Sequence, residues 1–122
     1  MESGLAVTTE WVRERLKSAE PLFFVELRHA GDLDLTVKKV RGALRVTTDD
    51  AQQHLSEIPK ERVVVVCSSA PNDEPAYQLA RLLLERGFRA HALSGGLKAY
   101  LGAGLPVEDV GPGRDMTRSR GF

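Results

Sequence analysis

At 122 residues the chain has the length of one domain, long enough to bury a core and too short to add a second. Seventeen basic and seventeen acidic residues cancel, which removes the electrostatic case for nucleic acid or an anionic membrane as the main partner. The apolar runs are too short to cross a bilayer and the opening MESGLAVTTE lacks a signal-peptide pattern, so a cytoplasmic location is expected.

Thr8 has the chemistry of an N-cap, Glu10 follows in the first turn, and Val7 is placed to pack on Val12 as a hydrophobic staple. These signals predict a short helix from about Thr9 to Ser18, with Val12 and Leu16 inward and Trp11 as a packing residue beside them. Leu22 to Leu27, LFFVEL, predicts a buried strand in which Glu26 is an acid that needs a partner, with Arg28 two residues away. His29 to Lys39 is expected to be an irregular connection. Asp32 and Asp34 lie in it without the rest of a calcium loop, so no metal site is expected. VRGAL, Val40 to Leu44, turns toward the next strand. Thr47 with Asp50 has capping-box form, and Ala51, Leu55 and Ile58 predict a second helix that ends near Pro59.

The stretch from Arg62 to Phe88 organises the rest. Val63 to Val66 are β-branched with no polar alternation, which reads as a strand buried on both faces. Cys67, the only cysteine, ends that strand; alone, it allows no internal disulfide and no CxxC or Cys/His zinc cluster. SSAPNDEPA follows as a turn-forming loop, then Ala76, Leu79, Ala80 and Leu83 at helical spacing, with Gly87 as the residue that ends the helix. Ala90 to Leu93 predicts a fourth strand. Gly95 and Gly96 permit a tight turn into a helix containing Leu97 and Leu101, which Gly104 stops. From Asp109 to Phe122 the composition shifts to Gly, Pro, Arg and Ser, and residues 109–122 are expected to form a flexible tail after a domain of residues 1–108.

Alternating buried strands and helices imply an α/β single domain with a mainly parallel central sheet flanked by helices. Loops at the carboxyl ends of such strands build ligand sites, because helix N-termini and free N–H groups converge there. Cys67 stands at that point.

Strand, cysteine, loop and helix in this order resemble the rhodanese (sulfurtransferase) family. VELR, Val25 to Arg28, is similar to the family's Asp-X-Arg at the end of the first core strand, with Glu26 substituted for the aspartate. VRGAL resembles its His-Ile-Pro-Gly-Ala turn, with Lys39 in the histidine place and Arg41 in the proline place. Gly95 and Gly96, Tyr100, and the GLPV of Gly104 to Val107 resemble its closing Gly-Gly, aromatic and Gly-Leu-Pro-Val. The likeness runs from about Thr8 to Glu108.

The resemblance implies that Cys67 is a sulfur-accepting nucleophile that forms a persulfide, with a small sulfur donor or acceptor, or a partner thiol protein, as its counterpart. It implies no cofactor. The main chain of residues 68 to 74 would form the anion cradle, with Ser68, Ser69, Ala70, Asn72, Asp73 and Glu74 lining it and Arg28 as basic support. Thiosulfate-using members carry Cys-X-X-Gly-X-Arg-Ser, whereas the run from Ser68 to Ala76 holds no Lys or Arg. Asp73 and Glu74 repel an anion there, and Pro71 and Pro75 remove two N–H donors. Weak turnover with thiosulfate is therefore expected, and the alternative is a catalytically silent rhodanese-like binding or regulatory module. Cys-X5-Arg phosphatase chemistry is disfavoured, because Asp73 occupies the sixth place after Cys67. His29, His54 and His91 are scattered; His29, beside the Glu26 strand, is the one retained as a candidate at the site's edge.

Overall fold

The computed structural model describes residues 4–28, 38–48, 50–69 and 72–109. Strand β1 (Ala6–Val7) leads into helix α1 (Thr9–Lys17), where the Thr8 hydroxyl accepts from the Trp11 N–H and so satisfies one of the donors that a helix start leaves open. Strand β2 (Leu22–Arg28) follows, then the short β3 (Lys38–Val40) and β4 (Leu44–Thr47). Lys38 and Lys39, expected to belong to an irregular connection, are thus strand residues. His29, Asp32 and Asp34 lie outside the described residues.

The predicted second helix is a 3-10 helix, Ala51–Glu57, and not an α-helix. Its backbone bonds close over three residues, Gln53 N–H to Asp50 C=O and Ile58 N–H to Leu55 C=O, the tighter winding common in short connecting pieces. The Thr47 hydroxyl accepts from the Asp50 N–H, as the capping pattern predicts.

Strand β5 (Val63–Ser68), helix α2 (Glu74–Glu85), strand β6 (Arg89–Leu93), helix α3 (Gly96–Gly102) and strand β7 (Val107–Asp109) complete the order. Asp109, assigned by composition to the tail, is the last residue of β7; residues 110–122 lie outside the described residues. Gly87 has φ +91°, a left-handed conformation that suits glycine and ends α2 where the sequence predicts.

Five strands form one sheet in the order β1-β6-β5-β2-β4, every pair parallel. A second, two-stranded antiparallel ribbon joins β3 to β7. The central strand β5 divides the core by alternation. Val64 and Val66 pack with Ala76, Leu79, Ala80 and Leu83 of α2, while Val65 and Cys67 pack with Val12 of α1 and Leu97 and Tyr100 of α3. The valine run therefore has a partner layer on each side, which is why it carries no polar alternation. Val7 and Val12 share the second layer, as the staple predicts, and Trp11 packs against it. Among the described residues no helix is long and apolar enough to cross a membrane.

Candidate functional site

Cys67 lies one residue before the carboxyl end of β5, on the central strand of the sheet, and α2 begins seven residues later at Glu74. Its side chain is fully buried, at 0% exposure, within the apolar layer that contains Val65, Leu93, Leu97 and Tyr100. A sulfur acceptor at the lip of the sheet would be open to solvent, whereas the alternation of β5 turns Cys67 inward beneath α3. Burial pushes the Cys67 thiol well above its ordinary value, and the nearby Glu26 carboxylate pushes it in the same direction. The resting group is a neutral thiol.

Glu26 is the register partner of Cys67 on β2 and is itself 0% exposed. One carboxylate oxygen accepts from Arg28 Nε at 3.2 Å and from Arg45 Nε at 2.9 Å; the other accepts from the Val40 N–H. Arg28 and Arg45 are buried with it. Removing three charges from water is costly, and the arrangement offsets that cost by placing one anion between two guanidiniums and a backbone donor. Arg28, anticipated as basic support for a bound anion, is here committed to Glu26. Arg45 was missed from sequence; the available signal is a charged residue in the apolar run LRVT, beside a strand that already contains a buried acid.

The amide cradle anticipated from residues 68 to 74 is only partly available. The Ser69 N–H donates to the Leu27 carbonyl at 2.9 Å, extending the β2–β5 ladder, and the Glu74 N–H donates to Asn72 Oδ1 at 2.9 Å. Ser68 is buried, and its carbonyl faces Gly96. Asp73 does not present its carboxylate as a bare charge: Oδ2 accepts from the Gly95 N–H at 3.0 Å. Asn72 and Glu74 are exposed at the start of α2, where Gln78 donates to Glu74 at 3.3 Å. Ala70 lies outside the described residues.

Tyr100, the aromatic of the closing motif, packs edge-on against Phe24 with ring centroids 5.7 Å apart and donates its hydroxyl to the Pro106 carbonyl at 2.6 Å. Burial raises its phenol above the usual value. Lys39, in the histidine place of the family turn, is 1% exposed and pairs with Glu108 Oε2 at 3.0 Å, joining β3 to β7. A groove of about 190 Å³ lined by Leu27, Ala51, Pro75, Gln78, Leu79 and Leu82 opens on the α2 face, opposite the layer that holds the Cys67 side chain. Of the other histidines, His54 contacts Glu57 at 2.6 Å and His91 contacts the Gly4 carbonyl at 2.8 Å. Among the described residues no cluster of His, Cys, Asp or Glu is arranged to hold a metal ion.

Comparison with solved structures identifies this architecture. The rhodanese-like domain of an Anabaena protein superposes with a TM-score of 0.68 at 25% identity, over 90% of this chain and 83% of that one. A full-length protein from Lactobacillus plantarum gives a TM-score of 0.74 at 22% identity, over 87% and 88% of the two chains. A rhodanese-like domain protein from Staphylococcus aureus gives 0.66 at 18% identity, over 79% and 90%. The last two likenesses speak for the fold alone. No protein-family model and no curated protein matches the chain. In its fold the chain is a small α/β protein of the parallel-sheet class, and within that class its architecture is the one seen in rhodanese-like domains.

Proposed function

We propose that the domain is a sulfurtransferase or persulfide carrier with Cys67 as the sulfur acceptor, slow with thiosulfate and dependent on a small sulfur donor or a partner thiol protein. The observation that carries this reading is the position of Cys67 at the carboxyl end of the central parallel strand, directly before the connection to α2, in a rhodanese-like fold. In the reaction the Cys67 thiol first loses its proton. The thiolate then attacks the outer sulfur of the donor; the donor's S–S bond breaks with its electron pair on the departing group, sulfite in the case of thiosulfate. The resulting Cys67 persulfide passes its outer sulfur to cyanide or to an acceptor thiolate, and Cys67 leaves as thiolate. Low reactivity follows from burial and from Glu26, both of which favour the neutral thiol.

The second reading is a rhodanese-like binding module without turnover, and complete burial of Cys67 favours it. Incubation with polysulfide followed by intact mass separates the two. A gain of one sulfur that Cys67→Ala abolishes supports the carrier; an unchanged mass after incubation removes it and leaves the module.

A further inference from the structure

We infer that Asp73 is a positioning residue for Cys67, its carboxylate setting how tightly α3 covers the sulfur. The inference rests on the reading of Cys67 as the reacting group. Asp73 is the residue before α2, and its Oδ2 accepts from the N–H of Gly95, the residue before α3, across 22 positions of sequence. The neighbouring Gly96 completes the contact. A Cβ built there would lie 2.4 Å from the Ser68 carbonyl oxygen and 3.6 Å from Asp73 Oδ1, so this turn rests on the end of β5 and on the start of α2 at once.

What the turn carries explains why this contact matters for the thiol. Leu97 and Tyr100, in the first turn and a half of α3, are members of the apolar layer that encloses Cys67. The Asp73–Gly95 hydrogen bond therefore ties the helix roofing the sulfur to the segment that follows it. An acid at this place looks from sequence like a charge that repels a bound anion. Its geometry assigns it the role of an acceptor, and an acceptor need not be charged: asparagine offers the same oxygen, whereas alanine offers none.

The test compares full-length wild type, Asp73→Asn, Asp73→Ala and, as a control, Leu79→Ala, which opens a cavity on the opposite face of the sheet. The measurement is the rate of Cys67 alkylation by iodoacetamide at 25 °C, followed by intact mass, with thermal melting of each variant. Asp73→Ala is expected to alkylate about fivefold faster, the effect of one net hydrogen bond on a local opening equilibrium, with Asp73→Asn within about twofold of wild type. Leu79→Ala is expected to melt lower than Asp73→Ala and still alkylate at the wild-type rate. The inference is overturned if Asp73→Ala reacts like wild type, if Asp73→Asn reacts like Asp73→Ala, or if Leu79→Ala accelerates the reaction equally. Alkylation needs no sulfur transfer, so a chain that gains no sulfur from polysulfide yet shows this pattern loses the carrier reading and keeps the positioning role.

Discussion

Glu26 and Cys67 stand opposite each other on adjacent parallel strands, both fully buried, the carboxylate raising the pKa of the thiol. Their relationship makes one polar centre serve two purposes. The acid holds Arg28, Arg45 and the Val40 backbone together, and its charge adds to the burial that raises the neighbouring thiol.

Removal of that carboxylate is expected to be among the most damaging single changes in the chain. Glu26→Ala leaves two buried guanidiniums and the Val40 N–H without their shared acceptor, a loss of about 3–5 kcal/mol for breaking a buried ionic network from one side. Urea denaturation of the purified variant measures it. A loss of less than about 1 kcal/mol, the worth of an exposed pair, is the outcome incompatible with this account.

The thiol gives stability a pH dependence of known sign. Cys67 titrates higher in the folded chain than in the unfolded one, where a free thiol loses its proton near pH 8.5. Below that pH both states hold the proton and the contribution is intact. Above it the unfolded state alone releases a proton, so stability falls by about 1.4 kcal/mol per pH unit from this group. Urea melts between about pH 7 and 9.5 are expected to show stability flat in this contribution below about pH 8.5 and falling above it in wild type, with a shallower fall in Cys67→Ala. Parallel curves for the two proteins contradict the burial of the thiol as described.

Two glycines offer a controlled comparison of strain and contact. Gly42 and Gly96 both have positive φ, +75° and +61°, but nothing lies within 4 Å of a Cβ built at Gly42, whereas one at Gly96 meets the Ser68 carbonyl oxygen at 2.4 Å. Gly42→Ala is expected to cost about 1–2 kcal/mol, the left-handed penalty alone. Gly96→Ala adds a backbone clash that no rotamer relieves, for a total above about 3 kcal/mol. Equal melting temperatures for the two variants count against close approach of the β6–α3 turn to β5.

Much of the fold was legible because its signals are local. The Thr8 cap, the four valines, the Ala76–Leu83 spacing and the left-handed Gly87 each declare themselves within a few residues. β1 is two residues long and pairs with β6 far along the chain, and the β3–β7 ribbon joins Lys39 to Glu108 across 69 positions. Such short pieces have no period of their own and exist only through their partners. The segment from Ala51 repeats apolar residues at α-helical spacing and yet winds as a 3-10 helix, because spacing reports which side is buried and not which carbonyl each N–H reaches.

For the site, sequence located Cys67 at the end of a core strand, marked Glu26 as an acid in need of partners, and exposed the lack of basic residues in the connection that follows. Side-chain alternation and turn chemistry suffice for those statements, since each depends on neighbours in the chain. Only the tertiary structure decided that the sulfur faces inward beneath α3, that Arg45 joins Arg28 on Glu26, and that Asp73 reaches Gly95. Burial and charge pairing are set by which distant elements pack together, and the energies that fix them arise between residues the sequence keeps far apart.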